Sequence, residues 1–180
     1  LIEDAYYPRE DSLFLLSLLQ GLRVGRVAEV GVGSGFVLAN YLREHTPELV
    51  LATDIDEVAL SVARRRLVEC EVEFIHCSGC DPLRKESLSL IFFNPPYLRS
   101  DGLNDSAISG GEKGIEATIR LIQSCKDPLK RDGLIVFISS SLSDWAGLLN
   151  ELDRAGVEVQ LKALKRLFFE TLYGMLARRH

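Results

Sequence analysis

The apolar run Leu88-Ser89-Leu90-Ile91-Phe92-Phe93 is followed at once by Asn94-Pro95-Pro96-Tyr97, and no other stretch constrains the fold as tightly. Each proline lacks a backbone donor and fixes its own φ, so a strand over 88–93 must stop there and the chain must turn rigidly. In open α/β sheets, ligands bind at the carboxyl ends of the strands. The turn gathers an amide side chain, the Pro95 carbonyl and an aromatic ring. The Asn94 side-chain oxygen and the Pro95 carbonyl can each accept a hydrogen bond from a planar NH2 group, while Tyr97 stacks on its flat face. A Pro-Pro turn that merely ends a buried strand is the plainer alternative, and the surrounding sequence must decide between them.

Arg26-Val27-Ala28-Glu29-Val30 predicts a short buried strand that runs into Gly31-Val32-Gly33-Ser34-Gly35 and then the helical stretch Phe36 to Glu44. Glycines in such a loop admit φ > 0 and close approach of a ligand, and the helix amino terminus offers free N–H groups. The spacing is G-x-G-x-G rather than G-x-G-x-x-G, and Glu29 would repel a pyrophosphate, so a dinucleotide is disfavoured. An acid there suits a cationic amino-acid ligand. A second strand, Leu49 to Thr53, ends in Asp54, placed to accept hydrogen bonds from ribose hydroxyls. Asp54 could instead cap the next helix, with Asp56 a rival for either role.

With both motifs in view, Glu29-Val30-Gly31-Val32-Gly33-Ser34-Gly35, Asp54 and Asn94-Pro95-Pro96-Tyr97 resemble the class I S-adenosylmethionine-dependent methyltransferases of the HemK type. Tyr6-x-Pro8-x-Glu10-Asp11-Ser12 is similar to the opening motif of the eukaryotic and archaeal members, which methylate the glutamine of a Gly-Gly-Gln loop in a translation termination (peptide chain release) factor. Gly110-Gly111 followed by Gly114 and Glu116, and Glu170-Thr171-Leu172, also match that subgroup. The resemblance implies S-adenosylmethionine as cofactor, with S-adenosylhomocysteine as product. It implies cofactor contacts at Glu29, Gly31, Gly33, Gly35, Asp54 and Asn94, an adenine-binding acid at Asp81 and a contact to the methionine portion at Ser12. An Asp-Pro turn and a helix cap are the plainer readings of Asp81 and Ser12. For the acceptor it implies Asn94 and Pro95 as orienting acceptors and Tyr97 as stacking wall, with no obligatory general base. Pro96, Tyr6, Pro8 and Glu10 then join them in binding the substrate, and 110–116 frames the mouth. Bacterial members carry a separate helical amino-terminal domain, for which this chain has no room. Subgroup members typically join a small zinc-binding activator that adds a strand, and Val72-Glu73-Phe74-Ile75-His76 would be the receiving edge.

Composition agrees with one catalytic domain over 1–180: 47% hydrophobic content can bury a sizeable core, and no linker or repeat divides the chain. The densest apolar segment, Leu13 to Leu19, is too short to span a bilayer and predicts a buried helix, so no membrane partner is expected. Cys77-x-x-Cys80, with His76 and Cys70 nearby, lacks a second ligand pair; no metal is expected, and free thiols fit a cytoplasmic protein. Arg64-Arg65-Arg66 is expected to be the solvated face of a helix whose other face holds Val62, Ala63 and Leu67. Adenine-N6 and cytosine-N4 methyltransferases also use Pro-Pro-aromatic turns, so methylation of a nucleic-acid amino group is the alternative activity. The net charge of −5 is an unfavourable field for a polyphosphate and argues against it. A regulatory subunit that binds cofactor without catalysis is a third reading, against which the intact Asn94 to Tyr97 turn argues.

The alternating patterns predict a doubly wound α/β fold, a mostly parallel seven-stranded sheet with an antiparallel C-terminal hairpin at one edge, and the resemblance implies that it is the Rossmann-like fold of class I methyltransferases. Helices are expected over 10–22, 36–44, 57–69, 112–126 and 145–155, the last stopped by Gly156. Strands are expected over 26–30, 49–53, 72–76, 88–93, 134–139, 157–164 and 171–178, and the crossover 81–87 is too short for a helix.

Overall fold

A computed structural model describes residues 10–22, 25–98 and 111–179. Tyr6, Pro8 and Gly110 lie outside the described residues. In chain order the elements are α1 (Glu10–Leu19), β1 (Arg26–Val30), α2 (Phe36–Glu44), β2 (Leu49–Asp54), α3 (Glu57–Arg66), β3 (Glu73–His76) and β4 (Leu88–Phe93), then α4 (Glu116–Lys126), β5 (Leu129–Ser140), α5 (Trp145–Arg154), β6 (Val157–Arg166) and β7 (Thr171–Arg179).

The strands form one sheet in the order β3-β2-β1-β4-β5-β7-β6. β1 to β5 are parallel, with Val27 level with Val50 on one side and Leu90 on the other. β7 runs antiparallel between β5 and β6, so the expected hairpin is present with β6 at the edge. From β1 the chain winds outward through β2 and β3, then returns to place β4 on the other side of β1. That reversal opens a crevice at the carboxyl ends of β1 and β4, the place where this topology binds ligands.

Both sheet faces are covered, which explains the near-continuous apolar runs of the central strands. Leu90 and Phe92 pack with Phe14, Leu15 and Leu18 of α1 and Leu38 and Tyr41 of α2. Ile91 and Phe93 face the opposite way, onto Ile122 of α4 and Leu148 and Leu152 of α5. The last residue of β4 is thus locked from both sides, and the turn that follows inherits a fixed origin.

Several boundaries differ from expectation. α1 ends at Leu19, short of Leu22, and Gly21 adopts φ +71°, which cannot continue a helix. α3 stops at Arg66, where the Leu67 N–H closes on the Ala63 carbonyl. α4 begins at Glu116 rather than Glu112. Gly111 and Gly114 sit at φ +100° and +74°, and the Glu116 carboxylate accepts from the N–H groups of Lys113 and Ile115, each at 3.1 Å. β5 begins five residues early, at Leu129, because Leu129 pairs with Leu88 across a register shift that the polar Lys130-Arg131-Asp132 conceals in the sequence. Arg64, Arg65 and Arg66 are exposed while Ala63 and Leu67 are buried, as expected of a solvated face.

Candidate active site

Asn94 leaves β4 at the crevice, and its amide is held by a residue far away in the chain. Its Nδ2 donates to Asp11 Oδ2 at 2.9 Å, and the Tyr97 hydroxyl donates to the same oxygen at 3.3 Å. Asp11 is only 7% exposed; its other oxygen accepts from the Ser12 N–H at 2.7 Å. A carboxylate can only accept, so the contact decides which end of the Asn94 amide carries the NH2. The oxygen, Oδ1, therefore points away from Asp11, and it is buried without a hydrogen-bond partner among the described residues. Such an acceptor is costly to leave unsatisfied and marks a place built for a donor. Pro95 is buried and Pro96 and Tyr97 half-buried, so the two prolines and the ring wall the turn.

Across the crevice, the glycine loop is stitched to the end of β2. Gly31 and Val32 donate N–H groups to the Thr53 carbonyl at 2.8 and 3.0 Å, Gly33 donates to Asp54 Oδ2 at 2.9 Å, and Gly35 to the Val32 carbonyl at 2.8 Å. The N–H groups of Gly31, Val32, Gly33 and Gly35 are therefore taken up within the protein. At the start of α2, the Leu38 N–H donates to Glu29 Oε2 at 3.1 Å, so an acid already answers the helix dipole. An acid at the helix start is a stronger reason than spacing against a pyrophosphate. Burial pushes the Glu29 carboxyl well above the usual carboxylate range; the Leu38 N–H opposes this and nearby Asp54 adds to it. A cationic ligand group would relieve that cost.

The loop glycines divide into two kinds. A Cβ on Gly31 or Gly33 would meet nothing within 4 Å, at φ +69° and +52°, so both backbones border open space that a ligand can approach. A Cβ on Gly35 would lie 3.2 Å from the Cα and Cβ of Ala63 and from Leu67 Cδ1. Gly35 therefore serves the close packing of α3 against the loop.

Asp54 and Asp56 also separate. Asp56 is the N-cap of α3, its Oδ1 accepting from the Val58 N–H at 2.8 Å. Asp54 stands at the crevice, accepting from Gly33 through one oxygen and from the Asp56 N–H at 3.0 Å through the other. A carboxylate has about four acceptor positions, which leaves it capacity for hydroxyl donors. Asp81 is exposed on the turn after β3, which Thr53 anchors by donating from Oγ1 to the Gly79 carbonyl at 2.9 Å. Burial pushes the Cys77 thiol up, and the nearby charges of Asp81 and Asp54 add to it. Asp81 also lines a cavity of about 230 Å³ with Leu83, Ser124 and Pro128 against the carboxyl end of α4, away from the glycine loop. Ser12 lies buried within α1, two residues past its first residue. Glu10 is exposed and forms an ion pair with Lys165.

The cysteines part company. Cys80 turns into the core, its Sγ 3.1 Å from that of Cys125, whereas Cys70 is exposed and the His76 ring bonds the Ile55 carbonyl at 2.9 Å. Among the described residues, no group of three His, Cys, Asp or Glu side chains is arranged to hold a metal ion. Neither is any helix among them long and apolar enough to cross a membrane.

Two residues escaped the sequence reading of the site. Asp11 was visible only as part of a motif, because its partners lie 83 and 86 residues away. Ile55 is 72% exposed directly after Asp54, an apolar surface where a flat ring could rest. An aliphatic residue just past a strand-end acid was the available signal.

A mostly parallel seven-stranded sheet with a reversed final hairpin, a glycine loop after β1 and a polar turn after β4 define a Rossmann-like methyltransferase. The methyltransferase small-domain model matches residues 10–162, and the chain belongs to that family. A Methanocaldococcus jannaschii protein provisionally named a protein N5-glutamine methyltransferase is 28% identical over 177 residues, covering 94% of this chain and 89% of its own length. Human methyltransferase HEMK2 is 28% identical over 187 residues, covering 94% and 87%. The release factor glutamine methyltransferase of Enterococcus faecalis is 29% identical over 124 residues; the match covers 62% of this chain but only 45% of that longer protein. Among solved structures, the E. cuniculi Mtq2-Trm112 complex, described as responsible for methylating the termination factor eRF1, superposes with a TM-score of 0.79 at 23% identity over 97% of this chain and 98% of the other.

Proposed function

We propose that this chain transfers a methyl group from S-adenosylmethionine to the side-chain amide nitrogen (N5) of the glutamine in the Gly-Gly-Gln loop of a translation termination factor. The observation that carries the reading is the buried Asn94 Oδ1, without a hydrogen-bond partner among the described residues and held in orientation by Asp11, which also accepts from the Tyr97 hydroxyl. Its missing partner is an N–H donor, and a primary amide has two. The names of the archaeal and Enterococcus faecalis relatives support a glutamine acceptor, and the Mtq2 complex, described as methylating eRF1, supports a termination factor.

The cofactor supplies an electrophilic methyl on a sulfonium. Glu29 and Asp54, with open backbone at Gly31 and Gly33, are the groups suited to hold its amino-acid and ribose portions, and Ile55 and Asp81 those suited to the adenine. Asn94 Oδ1 and the Pro95 carbonyl take the two amide hydrogens, which holds the nitrogen in place and favours electron density on it. Tyr97 limits the tilt of the amide plane. Positioning supplies the acceleration. The nitrogen gains the methyl, sulfur keeps the electron pair of the broken bond, and the extra proton on nitrogen leaves to water. The open edge of β3, with Glu73 and His76 exposed, is the place for a strand from a small zinc-binding activator, in line with the partner named in the Mtq2 complex. We assign the activity to the whole of 1–180 acting as one domain in the cytoplasm, where translation terminates.

The test is to incubate the protein with methyl-labelled cofactor and either an intact eRF1-type factor or duplex DNA, with and without the activator, and to locate the label by mass spectrometry. Label on the Gly-Gly-Gln glutamine, lost when that residue is changed to glutamate, is the expected result. Label on DNA adenines with none on the factor would overturn the reading.

A further inference from the structure

The two most exposed large apolar residues in the described chain are neighbours: Phe168 is 92% and Phe169 85% exposed. They occupy the tip of the β6–β7 hairpin, where turns ordinarily carry Gly, Asn or Asp. Their rings meet edge to face, with centroids 4.6 Å apart, so they form one aromatic knob. The backbone beneath is held firmly. The Leu167 N–H donates to the Glu170 carbonyl at 2.8 Å, Ser140 Oγ donates to Glu170 Oε2 at 2.5 Å, and Thr171 and Ser141 exchange bonds at 2.9 Å. Leu167 packs against the core.

Topology puts the knob on the catalytic side of the sheet. Phe93, which precedes Asn94, is level with Phe137, and Phe137 is level with Met175; β7 runs from there back up to Thr171, past the ends of β4 and β5. From the usual strand spacing and rise, the tip stands on the order of 20 Å from Asn94 and projects beyond the turn. Lys165 joins the hairpin to the acceptor side, pairing with Glu10 beside Asp11. Other exposed apolar groups continue the surface. Leu164 is level with Tyr173, whose ring lies 5.1 Å from that of Trp145, and the neighbouring Asp144 N–H bonds the carbonyl of Lys113 in the 111–115 segment. Leu164 and Trp145 are 52% and 37% exposed. Arg166, also exposed, gives this acidic chain a cation at the knob's base.

We infer that the Phe168–Phe169 knob, with Leu164, Trp145 and Arg166 below it, docks the body of the folded protein substrate. It would seat in an apolar depression with an acidic border, on the order of 20 Å from the acceptor loop. This rests on the reading of the acceptor as a glutamine of a folded protein. The occupant is argued from continuity with the acceptor turn: a globular substrate whose loop reaches Asn94 must lie over the same edge of the sheet. Remote contacts of this kind raise the affinity for an intact factor and leave a short peptide unaffected.

The test compares the wild-type protein with F168S/F169S, which touches only exposed side chains. Steady-state methylation is measured on an intact eRF1-type factor and on a short Gly-Gly-Gln peptide, and sedimentation reports the oligomeric state. The expected result is a KM for the factor raised roughly tenfold or more, with kcat and the peptide's kcat/KM unchanged. An unchanged KM for the factor overturns the inference and leaves the glutamine reading standing. Equal losses on factor and peptide would mean the knob acts on the site itself, and a wild-type dimer that the variant dissolves would mean it serves a second copy; either overturns it. If the wild type methylates neither substrate, the glutamine reading fails and takes the inference with it.

Discussion

The two walls of the crevice differ in how they treat their polar groups. On the β1–β2 wall nearly every group is already paired: the loop N–H groups close on Thr53, Asp54 and Val32, and Glu29 is held by Leu38. On the β4 wall one acceptor, Asn94 Oδ1, is buried and left unpaired, while its own amide is clamped from behind by Asp11. The first wall presents shape, open backbone and spare carboxylate capacity. The second presents an unmet demand for a donor. A wall of the first kind would spread its hold on a ligand over several groups, whereas the second concentrates its effect in one atom.

That contrast is most exposed to failure at Asn94. Asn94→Ala should lower the transfer rate by roughly 100-fold or more, with cofactor affinity kept within about tenfold, since the lost contact acts on the acceptor. Single-turnover assays with labelled cofactor, beside calorimetric titration, separate the two; near-normal transfer would end the distinction between the walls.

On the opposite wall, Asp54→Ala should weaken S-adenosylmethionine by about 1.5–3 kcal/mol, the range for hydrogen bonds to a charged group, while the rate at saturation changes little. Unchanged affinity in calorimetry would remove Asp54 from the ribose.

Asp11→Ala should slow transfer by about tenfold without altering cofactor affinity, because Asn94 survives but its amide is free to turn. Asp11→Asn keeps an acceptor that can face Asn94 and should recover most of the rate. If both variants were equally slow, a role for the Asp11 charge itself would replace that of positioning.

Gly35→Ala sharpens the division within the first wall. Forcing a Cβ against Ala63 at φ +71° should cost on the order of 1–3 kcal/mol of stability. Gly33→Ala meets open space, so its larger effect should fall on cofactor affinity. Denaturant unfolding and titration of both variants give the comparison.

The smallest effect concerns Glu29. Its carboxyl is pushed up by burial, so the folded protein holds a proton that the unfolded chain releases. Without cofactor, stability should therefore fall as pH rises from the ordinary carboxylate range toward the raised folded value, then level off above it. One group limits the slope to about 1.4 kcal/mol per pH unit. Glu29→Gln should flatten that portion of the stability curve, and an unchanged slope would assign it to another group.

Much of this was legible along the chain because the causes are local. The Pro-Pro pair ends β4 wherever the chain goes, and a run such as 88–93, apolar but for Ser89, has to be buried on both faces. Phe36–Glu44 starts and stops where its pattern does. Boundaries slipped where partners outside the segment decide them: β5 reaches back to Leu129 because Leu88 is there to pair, and Glu116 draws its own carboxylate over the start of α4.

The sequence by itself determined the order of strands and helices, the glycine loop, the polar turn and the acids at the strand ends, since each follows from periodicity, φ restriction or side-chain chemistry within a few residues. Only the tertiary structure decided that Asp11 orients Asn94, that Gly35 packs against α3 while Gly33 borders open space, that Asp56 caps and Asp54 remains at the crevice, and that Phe168 and Phe169 stand exposed at the tip of the β6–β7 hairpin. Each of these is a meeting of groups tens of residues apart or a matter of the space around them, and neither distance nor free volume is encoded in local pattern.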